Sequence, residues 1–198
     1  PVIFLPGLCA DCRHWQKVIP YLQNSFEIYA FSLPLYGTTN TIRERYNFHT
    51  LADLLTKLIK QFHIQKPILV GHSLGSIVAM LYSIQNPKKV YALVNISSPI
   101  RSHNHQIPLI WKAAVQIAFR LRKNTEILSW LESKKEVLQT LIQILPRQRS
   151  QKMKNTLEVL SEVPLKCMAL CYHDLFTMSF DDMVDQLSRL SIPKLYIY

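Results

Sequence analysis

The sequence predicts an α/β protein with a mostly parallel sheet and helices on both of its faces. Short apolar segments typical of strands alternate with helical segments over residues 1–99. The connections between them are short, and a strand, a crossover helix and a second strand form the repeating unit of a parallel sheet. Residues 101–165 carry helical patterns and no convincing strand pattern, so a helical insertion is expected between two strands.

The predicted strands are runs of apolar and β-branched residues bounded by turn residues. The first ends at Pro6-Gly7, and the fourth is closed by Ser97-Ser98-Pro99. In order, the predicted strands are Val2–Leu5, Phe26–Phe31, Ile68–Val70, Val90–Ile96 and Lys194–Tyr198.

The predicted core helices show apolar residues at helical spacing. The second has the strongest stripe, and Thr50 with Asp53 fits the capping pattern that begins such a helix. Pro20 weakens the first helix, and Asn86-Pro87 ends the third. The four helices are Arg13–Gln23, Thr50–Phe62, Leu74–Gln85 and Asp182–Leu190.

These elements divide the chain of 198 residues into three parts of one domain. Residues 1–100 form the first part of the core, and residues 101–165 form a helical cap. Residues 166–198 return to the core, where 194–198 is the last visible strand. The cap pattern contains four helices, at residues 107–121, 125–131, 135–145 and 151–160.

The net charge of +10 is concentrated in the predicted cap. Between Arg101 and Lys154 there are eleven Lys and Arg residues against three Glu residues. A solvated basic face is the favoured interpretation, while an anionic substrate or contact with a membrane surface is the alternative. Aromatic residues that would stack on bases are sparse there, so nucleic acid is not expected as a partner.

The four cysteines are interpreted as free thiols in a reducing compartment, which places the protein in the cytoplasm. Cys9 and Cys12 with Cys167 and Cys171 have a spacing that also allows a zinc site, a less favoured alternative. No apolar run is long enough to predict a membrane-spanning helix. The chain opens on Pro1 inside a strand pattern, so an N-terminal segment is expected to be missing.

Glycine is rare in this chain, which makes its positions informative. There are 4 glycines, whereas average usage would give about fourteen. Two of them flank a serine in Gly71-His72-Ser73-Leu74-Gly75, between a predicted strand and a predicted helix. A G-x-S-x-G segment in that context is a nucleophile elbow, in which the tight turn excludes flanking side chains and exposes the serine hydroxyl. Ser73 is therefore the candidate catalytic nucleophile.

A serine that attacks a carbonyl needs N–H donors for the oxyanion that forms. The backbone N–H of Leu74 follows the nucleophile at the start of a helix, where negative charge is favoured. The backbone N–H of Leu8 is the second candidate, because the loop after the first strand carries it. Gly7 gives that loop its close approach to the elbow.

On these residues the chain resembles the α/β-hydrolase superfamily, in particular its small capped esterases, thioesterases and C–C hydrolases. The resemblance covers the whole chain, and all four glycines fall on family positions. The matching segments are the oxyanion loop Leu5–Leu8, the loop Phe31–Gly37, the elbow Gly71–Gly75, the strand Leu93–Pro99 before the cap, and the strand Ser191–Tyr198.

The resemblance also shows departures. Pro6 stands where the family usually has His, and Ser32 and Leu35 replace Asp and Gly. The family's catalytic Asp and His follow the strand that 194–198 resembles, so both are expected beyond residue 198 and the chain as given is expected to be truncated and inactive. Residues weighed as substitutes, none at a plausible triad position, are His72, Ser97, Ser98, His103, His105, His173 and Asp174.

The resemblance implies a hydrolase that cleaves a carboxylic ester or thioester through an acyl-enzyme, with no cofactor and no metal. The apolar content of the cap, including Trp111 and Trp130, favours a small hydrophobic acyl substrate. The alternatives are other chemistry of the same fold, such as an acyltransferase, a haloperoxidase-like enzyme or a lyase, and a non-catalytic binding protein. No oligomeric state is predicted.

Overall fold

A computed structural model describes residues 1–7, 10–33, 47–99, 173–175 and 177–197. It also describes single positions at 116, 120, 126, 130, 133 and 134. Apart from those positions, the predicted cap at 101–165 lies outside the described residues. Leu8 lies outside them as well.

The described strands form one sheet in which every neighbouring pair is parallel. Its order is β2-β1-β3-β4-β5, which confirms the predicted α/β fold class. The strands are β1 (Val2–Leu5), β2 (Ile28–Ala30), β3 (Ile68–His72), β4 (Ala92–Ile96) and β5 (Lys194–Ile197).

The strand order reverses direction between β1 and β3. The chain passes from β1 outward to β2, then returns past β1 to form β3, and continues outward to β4 and β5. In open parallel sheets such a reversal leaves a crevice at the carboxyl ends of the two central strands, where ligands bind. Here those ends are Leu5 of β1 and His72 of β3, and they lead directly to Gly7 and Ser73.

Four α-helices are described, and two single turns of 3₁₀ helix accompany them at Cys12–Trp15 and Pro87–Lys89. The single helix predicted over Arg13–Gln23 is wrong. Pro20 lies in the first turn of a short helix, where the backbone N–H groups have no acceptor within the helix, so the N–H that proline lacks is not needed. The 3₁₀ turn precedes this helix. The helices are α1 (Ile19–Leu22), α2 (Phe48–Gln61), α3 (Leu74–Gln85) and α4 (Phe180–Ser188).

Helix α2 begins two residues earlier than its sequence pattern predicts. Asn47 is the N-cap, and its side-chain oxygen accepts a hydrogen bond from the Thr50 N–H at 2.8 Å. The Thr50 hydroxyl in turn accepts from the Asn47 N–H at 2.9 Å. Thr50 is therefore the third-residue partner of a capping box, and the predicted cap at Thr50 with Asp53 is wrong.

Both faces of the sheet are covered, because successive strand residues point to opposite sides. Helices α2, α3 and α4 pack on the face that carries Ile3, Leu69 and Leu93. On the other face Trp15 packs against Phe4 with ring centroids 4.9 Å apart, next to Val2 and Val70. Helix α3 is buried from Leu74 to Ser83, so the residues at its start are held by core packing as well as by the turn.

Candidate active site

Ser73 forms the turn between the last residue of β3 and the first residue of α3. Its backbone has φ 50° and ψ −113°, a conformation that side chains other than glycine rarely adopt. The Ser73 N–H donates to the Ile96 carbonyl of β4 at 2.9 Å. The Ser73 carbonyl accepts from the Ser76 N–H at 3.1 Å and from the Ser76 hydroxyl at 2.5 Å. The strained turn is thus fixed from both the sheet and the helix.

The two glycines of the motif stand where no side chain fits. A Cβ atom on Gly71 would lie 2.5 Å from the Ser76 nitrogen, and one on Gly75 would lie 2.5 Å from the Pro6 carbonyl oxygen. Both distances are shorter than any real contact of a Cβ atom, and the neighbouring atoms belong to the backbone. The close packing of α3 on β1 and β3 therefore requires glycine at both positions, as the spacing G-x-S-x-G predicts.

The side chain of Ser73 does not cap helix α3. Ser73 occupies the N-cap position of α3, where a serine side chain commonly bonds to the helix, yet its side chain makes no capping bond. The side chain is half-buried. Leu74 is the first residue of the helix, so its N–H has no acceptor within the helix and lies at the positive end of the helix dipole.

The loop after β1 comes close to Ser73. A Cβ atom on Gly7 would lie 3.2 Å from the Cβ of Ser73 and 2.8 Å from the Nδ1 of His72. The backbone at Gly7 therefore contacts the elbow directly, as the sequence predicts. The second predicted oxyanion donor, Leu8, follows Gly7 but lies outside the described residues, so its role stays a prediction.

His72 of the elbow belongs to a pair of stacked imidazole rings that no sequence pattern predicts. His72 stacks on His14 with ring centroids 4.8 Å apart and planes at 24°. His14 also meets Trp15 edge to face at 5.0 Å. The pKa of His72 lies below its ordinary value, mainly because the ring is buried and secondly because His14 is close. A neutral His72 is favoured beside the loop after β1.

The carboxyl end of β4 brings further polar residues to the elbow, of which sequence analysis weighed only the serines. Asn95 is 1% exposed, and neither its Nδ2 nor its Oδ1 has a hydrogen-bond partner among the described residues. Ser97 has φ 47°, and its N–H donates to the Ile197 carbonyl at 2.7 Å. The buried hydroxyl of Ser98 also lacks a partner. A lone Asn in an apolar strand pattern was the signal that could have drawn attention to this position.

Asp174, weighed as a substitute acid, serves helix α2 instead. Its Oδ2 accepts a hydrogen bond from the Phe48 N–H at 2.9 Å, at the start of that helix. It also lines a groove of about 490 Å³ together with His49 and Met178, and Ser73 is not part of the lining. His173 is adjacent to Asp174 in the chain, and His103 and His105 lie outside the described residues.

The zinc site considered as a less favoured alternative stays untested, because three of its four cysteines lie outside the described residues. No three metal-ligating side chains cluster among the described residues. Cys12 is a free thiol, whereas Cys9, Cys167 and Cys171 lie outside the described ranges. Within those same ranges, no helix is both long and apolar enough to cross a bilayer.

Comparison of sequences finds esterases and hydrolases among the relatives. The chain is 28% identical over 199 residues to a pimeloyl-[acyl-carrier protein] methyl ester esterase of Hamiltonella defensa, which covers 99% of this chain and 72% of that enzyme. It is 28% identical over 106 residues to the uncharacterized hydrolase YugF of Bacillus subtilis and 27% identical over 107 residues to the strigolactone esterase RMS3 of Pisum sativum. Those two alignments span only 39% and 40% of the relatives' own lengths.

Comparison of structures finds the same fold. An esterase from Thermogutta terrifontis superposes with a TM-score of 0.71 at 20% identity, covering 99% of this chain and 70% of the other. A hydrolase from Pseudomonas aeruginosa superposes with a TM-score of 0.72 at 14% identity, covering 98% and 69%. The family model of the alpha/beta hydrolase fold matches residues 1–125, which include β1, the Gly7 loop and the complete elbow. The chain therefore belongs to the alpha/beta hydrolase family.

Proposed function

We propose that the protein hydrolyses a carboxylic ester or thioester through an acyl-enzyme in which Ser73 is the nucleophile. The observation that carries the proposal is the backbone of Ser73, held at φ 50° and ψ −113° with its side chain free of any capping bond. Strain of this kind persists only where surrounding contacts enforce it, and it is concentrated at functional sites. The contacts at Gly71, Gly75 and Ile96 enforce it here.

The chemistry runs in two steps. The Ser73 oxygen attacks the substrate carbonyl carbon while a base takes the hydroxyl proton, and the carbonyl oxygen becomes an oxyanion bound by the N–H groups of Leu74 and Leu8. Collapse of this intermediate breaks the C–O or C–S bond, and the leaving group takes the proton from the base. Water then attacks the acyl carbon in the same way and releases the acid, which restores the serine.

The base comes from elsewhere in the protein. Among the described residues none is hydrogen-bonded to the Ser73 hydroxyl. The stacked ring of His72 is turned to His14, and Asp174 is bonded to helix α2. We infer that a histidine outside the described residues supplies the base, which agrees with the family resemblance.

Relatives favour an ester as the substrate. The esterase of Hamiltonella defensa aligns over 99% of this chain, and its name specifies a methyl ester of an acyl-carrier protein. We propose a small hydrophobic acyl substrate, without a cofactor and without nucleic acid. The basic residues predicted for the cap leave contact with an anionic carrier or a membrane surface as a secondary expectation.

An activity-based fluorophosphonate probe tests the nucleophile directly, because it reacts covalently with activated serines. We expect the full-length protein to be labelled at Ser73 and the Ser73→Ala variant to be unlabelled. Ser83→Ala is the matched control, since Ser83 is a buried serine of the same helix whose hydroxyl donates to the Ala79 carbonyl at 2.8 Å. Labelling that survives Ser73→Ala, or that is lost in Ser83→Ala with the fold intact, would contradict the proposal.

A further inference from the structure

Ser76 is hydrogen-bonded to the backbone of Ser73. Its hydroxyl donates to the Ser73 carbonyl at 2.5 Å, and its N–H donates to the same oxygen at 3.1 Å. Ser76 lies in the first turn of α3 and is 0% exposed. A Cβ atom on Gly71 would meet the backbone of Ser76, so strand β3 packs closely against this residue. The hydroxyl is therefore held on the Ser73 carbonyl in a closely packed setting.

Helix formation alone gives no reason for the bond from the hydroxyl. Serine is less favourable than alanine within a helix, and the carbonyl already has the N–H of Ser76 as a donor. Ser83 shows the ordinary case in the same helix, since its hydroxyl donates at 2.8 Å to the carbonyl of Ala79, one turn earlier. The acceptor of Ser76 differs, because it belongs to the residue with φ 50° and ψ −113°. The bond therefore acts on a carbonyl whose direction is set by the strained turn.

This carbonyl and the proposed oxyanion donor belong to one peptide unit. The carbonyl of Ser73 and the N–H of Leu74 are joined by a peptide bond that is planar and trans, so the two groups point in opposite directions. A carbonyl held on Ser76 thus directs the Leu74 N–H away from Ser76 and out of the start of the helix. There the N–H has no acceptor within α3.

A second donor on the carbonyl also changes the N–H at the other end of the peptide unit. Hydrogen bonds in a chain polarise one another, so a peptide whose carbonyl accepts a bond is a stronger N–H donor. An oxyanion is stabilised best by donors that are already oriented when its charge develops. The hydroxyl of Ser76 contributes to both the direction and the strength of the Leu74 N–H.

We propose that Ser76 is a positioning residue of the oxyanion site, whose hydroxyl orients and polarises the peptide unit between Ser73 and Leu74. This inference rests on the proposed function and deepens it. It does not depend on which residue supplies the base. It adds a side chain to an oxyanion site that otherwise consists of backbone N–H groups.

The experiment compares Ser76→Ala and Ser76→Gly with the parent in the full-length protein. We expect both variants to lower kcat for p-nitrophenyl butyrate about 10-fold with little change in KM, since a complete oxyanion donor contributes about 100-fold or more and the Leu74 N–H itself is kept. Glycine is less favourable than alanine in a helix, so Ser76→Gly should melt at a lower temperature than Ser76→Ala. Equal kcat in two variants of different stability ties the loss to the hydroxyl.

A transition-state analogue separates a role in the oxyanion site from a structural one. An alkyl trifluoromethyl ketone adds the serine oxygen to its carbonyl carbon and leaves an oxyanion in the site. Its inhibition constant should rise in both variants by the factor that kcat falls, about 10-fold. The acidic limb of kcat/KM against pH should stay at the position of the parent, because the base is unchanged. Ser83→Ala is the matched control, and it should keep the kcat and the inhibition constant of the parent.

Three results would overturn the inference. The first is a Ser76→Ala variant with the kcat and the inhibition constant of the parent. The second is a loss of kcat that Ser83→Ala shares. The third is a kcat that follows the melting temperature, so that Ser76→Gly loses much more activity than Ser76→Ala. In each case the parent remains labelled by the fluorophosphonate at Ser73, whereas failure of that labelling would contradict the serine mechanism itself and the role of Ser76 with it.

Discussion

At the scale of single residues, Gly75 lets the start of helix α3 approach the backbone at the end of β1, and this packing makes the conformation of Ser73 possible. Because a Cβ atom there would meet the carbonyl groups of Leu5 and Pro6, even alanine must push α3 away from β1. We expect Gly75→Ala to lower the free energy of unfolding by about 1–3 kcal/mol through overpacking. Urea unfolding followed by circular dichroism measures this. Gln85→Ala, at an exposed position near the other end of α3, should change it by less than about 0.5 kcal/mol.

The stacked His72 makes stability depend on pH. Its pKa in the folded protein lies below the ordinary value of 6.5, first because of burial and then because of His14. As the pH falls below 6.5, the unfolded chain binds a proton before the folded chain does, so the contribution of His72 to stability is present above that pH and is lost as the pH falls. We expect His72→Phe to show a smaller loss of unfolding free energy between pH 7.5 and 5.0 than the parent. An equal loss in both proteins would show that His72 is not responsible.

The residues of the elbow could be predicted from the sequence because the motif that carries them is local: Gly71, Ser73 and Gly75 lie within five residues. The steric conflict at Gly71 also arises inside this strand–turn–helix unit, whereas the conflict at Gly75 is with the backbone of Leu5 and Pro6 at the end of β1. The stacking of His14 on His72 could not be predicted, because it depends on which elements become neighbours. The burial of Asn95 is signalled only by its place in an apolar strand pattern, and that pattern does not show which side chains surround it.

At the scale of elements, the start of helix α2 is hydrogen-bonded to a residue far away in the chain. Asp174 accepts the N–H of Phe48 at 2.9 Å, across a separation of 126 residues, while Asn47 and Thr50 complete the capping box. No sequence pattern predicts a contact between residues so far apart in the chain. The apolar stripe of α2, by contrast, does predict that this segment forms a helix. Helix α4 begins at Phe180, two residues before its predicted start, with Ser179 as its N-cap.

The carboxyl group of Asp174 is partly buried, which disfavours its charged form. Burial is the largest influence and raises its pKa, while the hydrogen bond from Phe48 opposes this. Its folded pKa exceeds the ordinary value of 3.8, so its stabilising contribution is complete below that value and is lost as the pH rises. We expect Asp174→Asn, which keeps the acceptor, to be more stable than the parent at pH 7 and equal to it near pH 3.

A second substitution separates the charge from the hydrogen bond. Asp174→Ala leaves the Phe48 N–H without its acceptor and should cost about 1 kcal/mol at pH 7 relative to Asp174→Asn. Thermal unfolding of the three proteins at pH 7 measures the order. An Ala variant as stable as the Asn variant would mean that the bond to Phe48 contributes nothing to α2.

At the scale of the whole molecule, β5 is one of the two edge strands of the described sheet. Leu195 is 54% exposed and Ile197 is 46% exposed, although Lys194 ties the strand to α4 through the Leu187 carbonyl at 3.0 Å. An exposed apolar edge strand is a template for pairing with another chain.

We expect residues 1–198, produced alone, to self-associate. The double variant Leu195→Lys, Ile197→Lys should self-associate less, as measured by light scattering. Tyr91→Lys removes an equally exposed aromatic residue outside the strands and should not reduce association.

Activity is also a property of the whole molecule, because under the proposed mechanism the described residues include Ser73 and the N–H of Leu74 but, among them, no base bonded to the Ser73 hydroxyl. A serine hydroxyl without a base is a weak nucleophile, and loss of the base lowers kcat about a million-fold in a triad hydrolase, although the oxyanion site leaves some rate above that of water. We therefore expect residues 1–198, produced alone, to hydrolyse p-nitrophenyl butyrate no faster than their Ser73→Ala variant. Initial rates of the two proteins, corrected for the buffer rate, test this. Turnover that Ser73→Ala abolishes would place the base within residues 1–198, and His103, His105 and His173 would be the first histidines to substitute.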